Sequence, residues 1–156
     1  MITGVIFCDS DNLVARGIKA VTESEMSHCA LLFDDEIVLH YRFMGFETMH
    51  IMEFEAIYQI KKLLKPKEAI FASSATVTQR HNKKPYDFFG MLYVGLHLGV
   101  LSLTGYNLPG INYLEAKRKR FCVEFCAEVL LGESGSLMTP EALYRLLISR
   151  GYHEGQ

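Results

Sequence analysis

The stretch SHCALLF, residues 27–33, decides the predicted fold because it forms the first half of a β-hairpin. A second run of apolar or alternating residues covers 36–43, and two acidic residues, Asp34 and Asp35, separate the runs. Two strand-like runs joined by a short polar turn are typical of an antiparallel hairpin. Alternation along the first run directs His28 and every second residue after it to one face.

The segments around this hairpin predict an α+β fold. Strands are predicted at Thr3–Cys8 and Glu68–Ala72, and helices at about Leu13–Val21 and Ile51–Leu64. Residues 73–85 are polar and predict a loop. We therefore expect an antiparallel sheet or small barrel packed against helices.

Two more helices are predicted in the C-terminal part of the chain. One follows the break at residues 108–110 and carries Cys122. The last begins at Pro140, because Thr139 is a favourable N-cap residue and proline is common at the first helical position.

Composition predicts one domain that spans residues 1–156. A chain of 156 residues that is 49% hydrophobic can bury one substantial core without disulfide bonds. The net charge of −2 gives no overall basic field, so nucleic acid is not an expected partner, and the basic run at 117–120 is only local. We see no signal peptide, and we expect a cytoplasmic protein. The sequence specifies no oligomeric state.

One long uncharged segment, Phe88–Thr104, is slightly shorter than a membrane span requires. Its three glycines and its histidine favour a buried core segment or the wall of a pocket. Membrane association is the alternative for this segment and is not favoured.

Cys122 is the candidate nucleophile. A thiol becomes nucleophilic when it ionises, and a helix N-terminus, nearby cations or a paired histidine lowers its pKa. Cys122 follows the basic run at 117–120 and precedes residues with the composition of a packed helix, so we expect its pKa to be lowered. Cys126 lies one helical turn further, and both cysteines could equally be small core residues.

His28 is the candidate base, and His40 occupies the matching place on the second strand of the hairpin. Opposed positions on antiparallel strands bring side chains together, so His40 could orient His28 as the third member of a triad does. The two histidines could equally be metal ligands, but no third ligand with suitable spacing accompanies them. No metal or cofactor is expected.

The residues of both segments resemble a known family. Residues 12–28, NLVARGIKAVTESEMSH, look like the helix, turn and Ser-His strand of the circularly permuted papain-like hydrolases of the NlpC type, which include the bacterial YiiX and YaeF-like proteins. Residues 122–130, CVEFCAEVL, are similar to their Cys-Ser-Glu-Leu-Val-Ala-Glu-Ala-Leu helix, and this match selects Cys122 over Cys126. Family landmarks also match at residues 85–87 and 138–140, so the resemblance covers most of the chain.

The chain departs from this family pattern at two positions. Val123 replaces the usual serine after the nucleophile, and His40 stands where YiiX-like members often carry glutamate. The spacing of His28 and His40 instead resembles the Cys-His-His arrangement of the lecithin retinol acyltransferase and NlpC branches.

The resemblance implies a thiol hydrolase of the cysteine peptidase or amidase kind. Cys122 would attack the carbonyl of an amide or ester, His28 would shuttle the proton, and His40 would orient His28. Backbone amides near Cys122 would stabilise the oxyanion. The substrate would be a peptide, an amide or a lipid acyl group, and neither the residues nor the resemblance identifies it further.

Two alternatives remain open. Residues 5–14, VIFCDSDNLV, resemble the Asp-x-Asp loop of haloacid dehalogenase-type phosphatases, in which Asp9 and Asp11 would act with magnesium. Leu13 replaces the threonine expected there, and an acidic turn that caps the first helix is the favoured interpretation. The second alternative is a binding module that keeps the hydrolase fold without catalysis.

Overall fold

A computed structural model of the protein describes residues 1–10, 15–16, 19–20, 24–42, 44–82, 96–97, 100–101, 103–105, 121–132 and 138–155.

Among these residues, six strands form one sheet in which every neighbouring pair is antiparallel. The strands are β1 (Ile2–Asp9), β2 (His28–Phe33), β3 (Ile37–Arg42), β4 (Gly45–His50), β5 (Gln59–Lys65) and β6 (His153–Glu154). Their order across the sheet is β4-β3-β2-β1-β5-β6. Strand β1 therefore lies near the middle, between β2 and β5.

Four helices accompany the sheet in the part of the chain that the structure describes. They are α1 (Ile51–Ile57), α2 (Ser74–His81), α3 (Cys122–Leu131) and α4 (Pro140–Ser149). The architecture is α+β with an antiparallel sheet, which confirms the coarse class predicted from the sequence.

Both faces of the central strands β1 and β2 are buried. On one face, residues such as Phe7, Cys29 and Leu31 pack against α3 and α4. On the other face, Cys8 and Ala30 pack against aromatic residues of α1 and its C-terminal end. Because alternate residues of a strand face opposite sides, burial on both faces explains why β1 and β2 are almost continuously apolar.

The predicted hairpin is confirmed. Strands β2 and β3 pair in antiparallel register, and Leu31 lies opposite Leu39. The start of α4 is confirmed as well, because the Thr139 hydroxyl accepts a hydrogen bond from the Ala142 N–H at 3.1 Å. The predicted helix that carries Cys122 is confirmed as α3, which begins at this residue, and the described residues 15–16 and 19–20 of the first predicted helix are helical.

The helix predicted over Ile51–Leu64 is wrong in its second half. The helix ends at Ile57, and residues 59–65 form β5, which pairs with β1 on one side and β6 on the other. The side of β1 away from β2 has backbone N–H and C=O groups that need partners, and residues 59–65 supply them. This strand pairing stabilises the segment more than the helical spacing of a few apolar residues would.

Two further predictions are also wrong. Residues 74–81 form α2 instead of a loop, and the Ser73 hydroxyl caps this helix by accepting from the Thr76 N–H at 3.2 Å. Residues 68–72 form no full strand, because only Ile70 bridges to Ile2.

The uncharged segment 88–104 is described only in part. Its residues 96–97, 100–101 and 103–104 are helical, and Leu96, Leu101 and Leu103 are exposed. The predicted core role is therefore wrong for these three leucines, and the rest of the segment lies outside the described residues. No helix within the described ranges is long and apolar enough to cross a membrane.

Candidate active site

The two candidate histidines form a direct pair. Nε2 of His28 lies 3.0 Å from Nδ1 of His40, and both side chains are buried. The hairpin register pairs Leu31 with Leu39, and it therefore puts Ala30 opposite His40. The prediction that the histidines are directly opposed is wrong, because they are diagonal neighbours on one face, which long and aromatic side chains can still bridge.

Aromatic rings around α1 hold both imidazoles in place. The Tyr58 ring stacks on His28 with 5.2 Å between centroids and 14° between planes. The edges of Phe54 and Tyr58 pack against His40 at centroid distances of 5.2 and 5.6 Å. Phe54 lies in α1, and Tyr58 directly follows it, so this short helix fixes the orientation of the histidine pair.

His40 is neutral at ordinary pH. Its side chain is 0% exposed, and this burial lowers the pKa of His40 to about 2, with further lowering by the neighbouring His28 and Arg42. Desolvation disfavours the charged form of an imidazole. His40 can therefore donate or accept a hydrogen bond but does not carry a charge.

Glu47 lies behind His40, and no pattern in the sequence selects it. Strands β3 and β4 pair His40 with Glu47, and the Glu47 Oε2 lies 4.0 Å from the His40 Nε2. The His40 Nε2 is buried and has no hydrogen-bond partner among the described residues. Arg42 binds the same Glu47 oxygen at 3.2 Å. The pairing of Arg42 with Gly45 belongs to the same register, and no local sequence signal reveals it.

Cys122 is the first residue of α3. The preceding Phe121 has no side-chain oxygen with which to cap the helix, and Glu124 accepts a hydrogen bond from the Phe121 N–H at 3.3 Å. Backbone N–H groups in the first turn of a helix lack partners within the helix. They therefore lie beside the Cys122 thiol, where they can stabilise an oxyanion.

The Cys122 thiol lies close to His28 and to Cys29. Contact with the Cys29 thiol and burial raise the pKa of Cys122 well above its ordinary value, while the neighbouring His28 acts in the opposite direction. The prediction of a lowered pKa is therefore wrong for the free protein, because only 6% of Cys122 is exposed. The predicted cations at 117–120 lie outside the described residues.

Cys126 occupies a deeper position on the same helix. It is 0% exposed and interacts with the Cys29 thiol. Cys122 is the cysteine of α3 whose thiol lies near the histidine pair. Val123, which replaces the serine of the family pattern, is buried in the core that includes both cysteines.

Asp9 belongs to a different cluster. Burial alone would raise the pKa of Asp9, but hydrogen bonds from Lys19 and from the Ser27 hydroxyl, the latter at 2.8 Å, lower it overall. Strand β1 pairs antiparallel on both sides. The phosphatase alternative lacks a parallel-sheet setting in the described part of the chain, and Asp11 lies outside that part.

Within the described ranges, no group of three or more His, Cys, Asp or Glu side chains is arranged to hold a metal ion. The candidate site consists of the Cys122 thiol, the His28 and His40 imidazoles and the Glu47 carboxylate.

Neither a scan against protein-family models nor a search of curated proteins finds a match to this chain.

Proposed function

We propose that this protein is a thiol hydrolase of the cysteine peptidase or amidase kind, with the permuted papain-like fold of the NlpC type. The observation that carries the proposal is the pairing of His28 with His40 at 3.0 Å beside a thiol at the N-terminus of a helix. The antiparallel sheet against which the cysteine helix packs supports the proposal, as does the order of histidine before cysteine along the chain.

The proposed role of each histidine follows from its ring nitrogens. The Nε2 of His28 is occupied by His40, so Nδ1 is the atom that remains to take the Cys122 proton. This requires the His28 Nε2–H to donate to the His40 Nδ1, which leaves the His40 proton on Nε2. That proton is directed towards Glu47, whose oxygen lies 4.0 Å away. The carboxylate favours this tautomer and so supports His28 as the base.

The proposed reaction passes through an acyl-enzyme. His28 takes the thiol proton as the Cys122 sulfur attacks the carbonyl carbon, and the oxyanion forms beside the first-turn N–H groups of α3. Collapse of this intermediate expels an amine or alcohol, which His28 protonates. His28 then activates water to hydrolyse the thioester. Since the pKa of Cys122 is raised, deprotonation accompanies attack and no thiolate is formed beforehand.

The proposed substrate is a peptide, an amide or a lipid acyl group. A non-catalytic binding module with the same fold is the second candidate, and the burial of Cys122 together with its raised pKa favours it. The two candidates differ in whether His28 activates the thiol.

Labelling with a thiol-reactive acyl probe tests this difference. We expect Cys122→Ala to abolish labelling and Cys126→Ala to retain it. Cys122 is more exposed than Cys126, so preferential labelling of Cys122 would not by itself show activation by a base. The decisive variant is therefore His28→Ala, in which labelling should fall by about a hundredfold or more. His153→Ala, at an exposed histidine, is the matched control and should label normally.

Equal labelling of His28→Ala and the parent protein would favour the binding module, as would labelling of neither cysteine. Circular dichroism in the near-ultraviolet checks that each variant is folded. Magnesium-dependent release of phosphate from an aryl phosphate, lost in Asp9→Asn, would favour the phosphatase alternative instead.

A further inference from the structure

All four cysteines of the chain are free and buried, and three of them, Cys29, Cys122 and Cys126, lie in one cluster between the sheet and α3. Cys29 of β2 is the centre of this thiol cluster, because its thiol interacts with Cys122 and with Cys126. Cys8 of β1 lies within electrostatic reach of Cys29 and Cys122. Strand β2 and helix α3 thus bring together thiols that are far apart in sequence.

Small side chains allow this close approach. Cys122, Cys126 and Ala127 belong to the surface of α3 that packs on the sheet, and Cys29 is the residue of β2 that meets them. Where facing residues are small, a helix can lie closer to a sheet than large side chains permit. The thiols of Cys29 and Cys122 consequently lie close enough to interact.

Cys122 is the most exposed of the four cysteines. Cys8, Cys29 and Cys126 are 0% exposed, whereas Cys122 is 6% exposed. A small oxidant that enters from solvent therefore meets Cys122 before the other thiols.

Helix geometry selects the partner that Cys122 can bond. Residues four apart on a helix have Cβ atoms about 5–6 Å apart, whereas a disulfide needs about 3.5–4.5 Å. Cys122 and Cys126 therefore cannot bridge without breaking α3. Cys29 lies on the facing strand and packs in the same cluster as Cys122, so the spacing of α3 does not prevent this pairing.

We propose that Cys122 and Cys29 form a reversible disulfide when the protein meets a peroxide, with Cys29 as the resolving thiol. The Cys122 sulfur attacks one peroxide oxygen, so that an S–O bond forms, the O–O bond breaks and one water leaves. The Cys29 sulfur then attacks the Cys122 sulfur, so that the S–S bond forms, the S–O bond breaks and a second water leaves. The two thiols lose two electrons in total, and the peroxide gains them.

The disulfide would protect Cys122 from irreversible oxidation and would switch off the site. Formation of the bond does not require the protein to be a hydrolase, whereas the loss of activity rests on the proposed function. A dithiol reductant would restore both thiols.

The test is peroxide treatment of the reduced full-length protein, followed by blocking of free thiols, non-reducing digestion and mass spectrometry. We expect a peptide pair joined through Cys29 and Cys122 in the parent protein and in the control Cys126→Ala. In Cys29→Ala no such pair should form, and Cys122 should proceed to the sulfinic acid. Cys29→Ser, which keeps the volume of the side chain, replaces the alanine variant if that one does not fold.

Sulfinic acid at Cys122 of the parent protein, without a disulfide, would overturn the proposal. A disulfide that joins Cys29 to Cys126 or to Cys8 would overturn it as well. Acyl-probe labelling of the reduced protein is measured separately, so a failed hydrolase assay and a failed disulfide give different results.

Discussion

Replacement of His40 by glutamine should make the stability of this protein less dependent on pH. His40 is 0% exposed and lies against His28, Phe54 and Tyr58. The groups with charge or a titratable proton around it are His28, Arg42, Glu47 and Tyr58, and burial keeps Tyr58 neutral by raising its pKa to about 12. Glutamine can hydrogen-bond at this position but cannot be protonated between neutral pH and about pH 5.

The expected effect follows from the pKa of His40 in the two states. The pKa is about 2 in the folded protein and about 6.5 when the chain is unfolded. As the pH falls below the unfolded value, the unfolded chain binds a proton at His40 and the folded protein does not. The contribution of neutral His40 to the free energy of unfolding is thus fully present above about pH 6.5 and is lost progressively towards lower pH. From about pH 7.5 to about pH 5, His40 should lower the free energy of unfolding by about 2 kcal/mol.

Urea denaturation at several pH values in this range measures the effect. The free energy of unfolding of the parent protein should fall by about 2 kcal/mol more than that of His40→Gln over the range. Groups that do not contact His40 are identical in the two proteins, so their contributions to the pH dependence cancel in the difference. His40→Asn serves as a second variant if glutamine is too large for the site.

Parallel stability curves for the parent protein and His40→Gln would refute this reasoning. They would mean that His40 is protonated equally in both states, and that it is not held neutral by burial. A constant offset between the curves is compatible with the prediction, because loss of packing around His40 does not depend on pH in this range.

Two further predictions concern the residues that position the thiol and the base. Glu124→Ala should destabilise the protein by about 1 kcal/mol in thermal denaturation and slow alkylation of Cys122, because it removes the hydrogen bond to the Phe121 N–H. Glu124→Gln keeps an acceptor for this N–H and is the control. Equal losses of stability in the two variants would contradict the capping role of Glu124. Tyr58→Phe should keep acyl-probe labelling near the parent rate because the ring still stacks on His28, whereas Tyr58→Leu should lose about 0.5–1.5 kcal/mol of stability and reduce labelling. Equal labelling of the two Tyr58 variants would show that the stacked ring does not position the base.

Local signals explain which elements were predictable. The hairpin of β2 and β3 shows alternation and a polar turn within a few residues, and α4 begins at a threonine and a proline whose preferences are local. Strand β5 was missed because its partner is β1, about fifty residues earlier. No local feature of residues 59–65 predicts that pairing, since a strand is stabilised by its neighbouring strands.

The residues of the candidate site also differ in whether the sequence alone could reveal them. His28, His40 and Cys122 could be selected from sequence because imidazole and thiol groups carry this chemistry and their spacing resembles a known family. Glu47 could not be selected, since its proximity to His40 depends on the register of β3 and β4.

The sequence by itself determined the hairpin, a helix that carries Cys122 and the residue types of the candidate site, because these depend on local preference and chemical identity. Only the tertiary structure decided that Cys29 contacts Cys122 and that His40 is buried. The pKa of each group depends on desolvation and neighbouring side chains, which exist only after the chain has folded. For that reason the pKa of the thiol that was expected to ionise easily is instead raised, and the stretch at residues 27–33 supplies both the proposed base, His28, and the neighbouring thiol of Cys29.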